Sequence, residues 1–283
     1  MRTIAHLSDL HFGRVDEALL GPLTDFLEST RPDVLVVSGD LTQRAKPKEF
    51  IAARDFLDTF TMPKIIVPGN HDVPLYDIFR RFLSPLKRYR RYIMTDLEPF
   101  FADDEIAVLG MNSARSLTVK GGRVNHEQLE RVRMRLGTLD DKLVKILVSH
   151  HPFDLPAHMD KEHLVGRAHL GIKAFANVGV DVLLGGHMHS SQAITTDGRY
   201  KQSPYAALSI QAGTATSTRQ RGEVNSFNVL RVESGRVEID QISWGVDEGV
   251  FKKNSTQTFA RTDKGWLLAP TAQSGAARSP GDD

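Results

Sequence analysis

An α/β protein is what this sequence predicts, and two observations carry the prediction. Up to residue 190, short runs rich in Val, Ile and Leu recur, and each stops at Gly, Asp, Asn or His. Continuous apolar runs of that length suit strands covered on both faces. Between them lie stretches with apolar residues at helical spacing, and alternation of the two kinds points to sheets layered with helices.

Strands are expected at residues 3–7, 34–38, 64–67, 106–110, 144–149 and 180–184. Leu19, Leu20, Leu23, Phe26 and Leu27 share one helical face after Asp16, whose carboxylate suits an N-cap. Phe50, Ala53, Leu57 and Phe60 repeat the pattern, as do Leu129, Val132 and Leu136. Beyond residue 190 the character changes. Residues 192–196, 207–211, 225–233 and 236–244 read as strands joined by turn signals such as Asp197-Gly198 and Ser234-Gly235. No helical stretch separates them, so 190–245 is expected to form an antiparallel second sheet or a sheet edge. Residues 270–283 are small and polar and read as a disordered tail. Residues 74–92, PLYDIFRRFLSPLKRYRRY, are dense in cations and aromatics. They read as a basic helical excursion, bounded at 74–98, with aromatics packed inward and charges in water, or as a cap that meets an anionic substrate.

Lys and Arg number 36 and Asp and Glu 35, a formal charge of +1, which predicts no field strong enough to select nucleic acid or membrane. Hydrophobic residues make up 40% and charged residues 25%, ordinary for a globular chain. There is no cysteine, so disulfides and thiolate metal sites are excluded and any metal must be held by His, Asp, Glu or Asn. The opening residues lack the apolar core of a secretory leader, and no apolar run approaches the roughly 18 residues that span a bilayer. The expectation is a cytoplasmic protein with no membrane partner.

Five segments at expected strand ends carry metal-ligating side chains: Asp9-Leu10-His11, Gly39-Asp40, Gly69-Asn70-His71-Asp72, His150-His151-Pro152 and Gly185-Gly186-His187-Met188-His189. On an extended chain Asp9 and His11 would project to one side and share one ion. Each segment alone is commonplace. Together they matter, because strand carboxyl ends collect at one edge of an α/β sheet, where ligands bind. Without a cation, so many polar groups at one edge would be costly to bury. The glycines before the ligands are expected to allow sharp turns and close backbone approach.

In this order, spanning residues 9 to 189, the five blocks resemble those of the calcineurin-like metallophosphoesterase superfamily. The chain length and the stretch from Gly213 to Arg221 are most similar to its bacterial class III cyclic-nucleotide phosphodiesterase and glycerophosphodiesterase-like members. The resemblance implies a four-layer αββα sandwich of two mixed sheets flanked by helices, within a single domain over 1–269. It implies that Asp9, His11, Asp40 and His189 hold one metal and that Asp40, Asn70, His150 and His187 hold a second, with Asp40 bridging. It implies a catalytic His71 that contacts substrate without binding metal, and a non-ligand His151.

Two cations about 3.5–4 Å apart would hold a bridging hydroxide and a phosphoryl oxygen together. The mixed nitrogen and oxygen donors point to two divalent or trivalent ions of Mn, Fe, Zn or Co rather than Mg or Ca. His71 would protonate the leaving alkoxide or stabilise the transition state. Asp72 would orient His71 or brace the turn. Asn112, Arg115, Arg219 and Arg221 are candidate substrate contacts. His6, of opposite parity to Asp9, reads as structural and His126 as a helix-start residue, while one of His158, His163 and His169 is a candidate to enter the substrate pocket. The expected activity is a phosphodiesterase acting on a cyclic nucleotide or another small phosphodiester. The alternatives are a nuclease, a phosphomonoesterase or protein phosphatase of the same superfamily, and a non-catalytic scaffold. Leu41 after Asp40 and Asp72 after His71 depart from the protein-phosphatase pattern. Nucleic acid enters as a partner only through the nuclease alternative. A homo-oligomer is left open because the strand-rich half could pair with another subunit.

Overall fold

Alternate side chains of the central strands feed different cores, and this alternation builds the layers. The computed structural model describes residues 1–116, 121–218 and 223–270. In chain order the elements are β1 (Arg2–Leu7), α1 (Leu20–Thr30), β2 (Val34–Val37), α2 (Pro47–Leu57), β3 (Lys64–Ile66), α3 (Ile78–Leu83), α4 (Lys87–Tyr92), β4 (Phe100–Ala102), β5 (Ile106–Gly110), α5 (His126–Leu136) and β6 (Val144–Val148). There follow α6 (Ala168–Ala176), β7 (Val180–Gly185), β8 (Gln192–Thr195), β9 (Leu208–Gln211), β10 (Ser226–Glu233), β11 (Arg236–Gly245), β12 (Val250–Thr262) and β13 (Gly265–Leu268).

The first sheet has seven strands in the order β13-β12-β11-β10-β1-β2-β3, and the second has six in the order β4-β5-β6-β7-β9-β8. Both are mixed: β1, β2 and β3 run parallel while β10 meets β1 antiparallel, and β5, β6, β7 and β9 run parallel between antiparallel edges. Val34 and Val36 face a core shared with Val108, Ile146 and Val182 of the other sheet. Leu35 and Val37 point the opposite way, onto Leu23 and Leu27 of α1 and Phe50 and Ala53 of α2. On the far side Ala107 and Leu109 pack on Val132 of α5 and Ile172 of α6. The result is helix, sheet, sheet, helix, as expected.

Asp16 accepts from Ala18 N at 3.1 Å and starts a short 3-10 turn that runs into α1. The ten expected strands all form, with ends shifted by a residue or two. The segment 190–245 does not make a sheet of its own but extends both sheets toward an edge, the second of the two expectations. β8 and β9 complete the second sheet, whereas β10 and β11 pair onto β1 and extend the first. Main-chain pairing with β1, from Arg2 opposite Val232 to His6 opposite Asn228, draws β10 there. Three strands were not expected: β4, β12 and β13. The inner part of β12 reads KKNSTQT and is largely exposed; Phe251 and Phe259 anchor it, and the ladder with β11 supplies the rest.

Residues 74–92 form α3 and α4, and of their large apolar side chains only those of α4 pack inward. Tyr89 is fully buried, its hydroxyl donates to Ile66 O at 2.9 Å, and Tyr92 stacks on Phe50. The large apolar side chains of α3 face solvent, which corrects the inward-packing reading for that half. Among the described residues no helix is long and apolar enough to cross a membrane. Of the tail expected at 270–283, residues 271–283 lie outside the described residues.

Candidate metal centre

The cluster lies where strands of both sheets end. Beyond β1, the backbone leaves the strand and runs through Asp9 and His11 at φ 54° and 49°. Asp40, His187 and His189 share that left-handed conformation, at φ 54°, 71° and 61°. Each costs on the order of 1 kcal/mol outside glycine, and residues held so cluster at functional sites. Asp9 and His11 therefore share a side through two left-handed turns, not through strand alternation. Glycine is needed mostly for space. A Cβ on Gly69 would stand 2.1 Å from Asp40 Oδ1, and one on Gly186 1.8 Å from Ser8 Oγ.

The structure brings Asp9, His11, Asp40, Asn70, His150, His187 and His189 together. Ser8 Oγ and His187 N donate to Asp9 Oδ2 at 2.7 and 3.0 Å. Asp9 Oδ1 is left facing His11 Nε2 at 3.4 Å and His189 Nε2 at 3.3 Å. Asp40 Oδ1 accepts from His71 N at 2.8 Å. Its Oδ2 lies 3.8 Å from His11 Nε2 and 3.4 Å from His150 Nε2, between two groups of donors. Asn70 Oδ1 is 3.1 Å from both His150 Nε2 and His187 Nδ1. Two overlapping sets could each hold an ion: Asp9, His11 and His189, and Asp9, Asp40 and His150.

Outer partners aim these rings. His150 Nδ1 is 2.8 Å from Ser38 O and His189 Nδ1 2.8 Å from Thr214 Oγ1. Such bonds set the tautomer and orientation of a ligating imidazole. Among the described residues, Asp9 Oδ1 and both ring nitrogens of His11 are buried without a hydrogen-bond partner. Leaving buried polar atoms unpaired is expensive, and a carboxylate most of all. A bound cation relieves that cost, so the residues fit the metal centre that the donor set implies.

Electrostatics agree. Burial alone would raise Asp40, yet His150, His71 and His11 hold it well below the usual carboxylate range. Burial opposes charging of His150, but Asp40 and Asp9 outweigh it and push His150 up to about 9. A cation would compete with that proton for the same carboxylates. Burial and the neighbouring His150 lower His187 to about 3.

His71 stands at the rim, edge-on to His11 at 4.9 Å, with Nδ1 2.9 Å from Gln43 O. Asp72 does not orient it. The Asp72 carboxylate takes the backbone N–H groups of Leu41, Thr42 and Gly69 and the Thr42 hydroxyl, which braces the Asp40 loop against the Asn70 loop. Burial and the charge of Asp40 raise Asp72 to about 6. His151 lies closer than a bystander. Its ring is 4.8 Å from those of His150 and His187, and the three could together hold an ion. The doublet His150-His151 was the only signal for it in the sequence.

The expected substrate contacts fare differently. Asn112 Oδ1 caps Ala114 N at 2.9 Å, and Arg115 donates to Arg123 O and to Gln128 Oε1 at the start of α5. Both side chains serve the local fold, with no bond to the cluster among those described, because the chain turns back on α5 after β5. Arg219 and Arg221 lie outside the described residues. His6 Nε2 pairs with Ser38 Oγ at 2.9 Å inside the core, and His126 opens α5 behind the Asn125 cap. His158, His163 and His169 belong to none of the described ligand groups. A cavity of about 630 Å³, lined by His169, Lys173, Arg199 and Tyr200 among others, lies apart from the cluster.

Comparison with known proteins adds a family. A family model described as calcineurin-like phosphoesterase matches residues 2–191. A probable cyclic nucleotide phosphodiesterase of Synechococcus sp. is 28% identical over 53% of this chain and 58% of its own. The 3′,5′-cyclic adenosine monophosphate phosphodiesterase CpdA of Escherichia coli is 28% identical over 69% of this chain and 72% of its own. The chain spans 58% and 60% of the length of the first two curated relatives it matches. A dimetal phosphatase from Danio rerio superposes with a TM-score of 0.64 at 14% identity, covering 89% of this chain and 98% of that one.

Proposed function

From the premise that the chain belongs to the calcineurin-like phosphoesterase family, we propose that it is a binuclear metal-dependent phosphodiesterase acting on a cyclic nucleotide or another small phosphodiester. One observation carries this reading: side chains from five separate strand ends meet in one cluster around Asp9 and Asp40, where Asp9 Oδ1 and both His11 ring nitrogens are buried without a hydrogen-bond partner among the described residues. Asp9, His11, Asp40 and His189 would hold one ion, and Asp40, Asn70, His150 and His187 the other. When bound, such ions supply Lewis acidity and a hydroxide nucleophile near neutral pH.

The chain's own residues do the rest. Asp40 joins the two halves through one oxygen, while its other oxygen holds the His71 backbone. Gln43 O holds the His71 ring through Nδ1, and Nε2 would meet the substrate and pass a proton to the leaving alkoxide. Asn70 adds a neutral donor, so the site keeps positive charge for a phosphate anion. The names of the relatives support a cyclic nucleotide as substrate.

The deciding experiment is a turnover screen with added Mn, Fe, Zn or Co. It compares 3′,5′- and 2′,3′-cyclic nucleotides, glycerophosphodiesters and matching monoesters. Diester turnover exceeding monoester turnover is expected. No turnover of any ester with any metal would overturn the reading in favour of a scaffold.

A further inference from the structure

Outside the metal cluster, the surface departs most from the ordinary at α3. Tyr76 is 77% exposed, Ile78 64%, Phe79 83%, Phe82 53% and Leu83 82%. Scattered exposed apolar residues are normal, but five large ones within eight positions form a patch of the kind that marks an interaction surface. The segment is anchored in this pose. Buried Arg81 donates to Ser116 O at 2.7 Å and to Pro74 O at 3.0 Å, and Asp77 caps Arg80 N at 3.0 Å. Cations lie close to the patch in the chain. Arg80, Lys87, Arg90 and Arg91 are exposed, and residues 74–92 hold six basic side chains and one acidic in a chain of formal charge +1. The remainder of the molecule is therefore net negative.

We propose that this face docks on an anionic lipid surface, with the apolar side chains of α3 at the boundary between headgroups and acyl chains and the cations of the same segment on lipid phosphates. Charge complementarity selects the occupant. A second copy in a two-fold interface would set the cationic patch against itself. Nucleic acid would satisfy the cations but give Ile78 and Leu83 nothing to stack on. A bilayer surface accepts both kinds of side chain. The absence of a membrane partner expected from the sequence rested on spanning segments and overall charge, and a surface-docked segment needs neither. Docking would also bring the metal centre to the bilayer, because the Arg44 guanidinium lies over Tyr76 at 5.6 Å and the adjoining Gln43 O holds His71. The surface stands on its own and does not depend on which phosphodiester is cleaved.

Co-sedimentation with vesicles tests it. The full chain should pellet with phosphatidylcholine vesicles containing phosphatidylglycerol, and hardly with phosphatidylcholine alone. Added salt should weaken the binding. Phe79→Glu with Phe82→Glu should lower partitioning by ~10-fold or more with an unchanged melting midpoint, and Leu83→Ser repeats the test with a milder change. Arg90→Glu with Arg91→Glu should lower it too. The proposal fails if wild type does not pellet or if the Phe79/Phe82 variant pellets equally well. It also fails if the patch instead holds a dimer in light scattering, or if only DNA is bound.

Discussion

Asp40 carries more of the site than any other side chain. One oxygen pins the His71 backbone and the other faces both halves of the cluster. Asp40→Ala should therefore lose bound metal and nearly all activity, as should Asn70→Ala. His71→Ala should keep metal and lose turnover, by ~100-fold or more if it acts as a general acid. Metal content by mass spectrometry, read beside kcat, separates the two classes. Wild-type activity in Asp40→Ala would dismiss the assignment. Thr214 acts through His189, whose Nδ1 it meets at 2.8 Å. Thr214→Val keeps the shape and removes the hydroxyl. Metal affinity should fall by about 10–100-fold, measured by chelator competition. All seven ligand candidates and His71 were legible from their motifs. Thr214, Ser38 and Gln43 were not, because an outer partner needs only an oxygen in the right place and leaves no pattern in the chain.

Elements meet the site through loops, and the loops are fastened by single polar residues. Asp154, beyond β6, is buried and pairs with Arg199, beyond β8, at 2.9 Å. Burial outweighs that partner and raises Asp154 to about 6, while its Oδ2 has no described bond. A carboxyl group whose folded pKa is raised favours the protonated fold. Its contribution is present below the ordinary carboxylate pKa and is lost as pH rises through about 6. Asp154→Asn removes the titration. The wild-type melting midpoint, measured relative to the variant, should fall by ~2 °C or more between acidic and neutral pH. Parallel pH profiles for the two proteins would refute this. At the same scale, amphipathic helices such as α1, α2 and α5 were readable from spacing. β12 was not, since a partly exposed ladder strand can be polar along most of its length.

Across the molecule, the two sheets are closed by residues far from the site. Trp266 on β13 is fully buried in the core between the sheets, and its Nε1 donates to Asp181 Oδ1 at 2.9 Å across to β7. Trp266→Ala should cost ~3–5 kcal/mol, seen as an earlier urea midpoint. An unchanged midpoint would mean that the C-terminal strands contribute little to closing the sandwich.

Local pattern by itself determined the layered α/β class, the strand ends that carry the candidate ligands and the side chains that meet there. These follow from periodicity and from chemistry that only a few residue types can perform. Tertiary structure alone decided that β10 to β13 extend the first sheet, that Asp72 braces loops, and that Arg115 serves α5 rather than the cluster. It also decided that α3 turns its aromatics outward. Each of these depends on which distant backbone or carbonyl lies within hydrogen-bonding reach, and the order of residues along a chain does not specify distances across it.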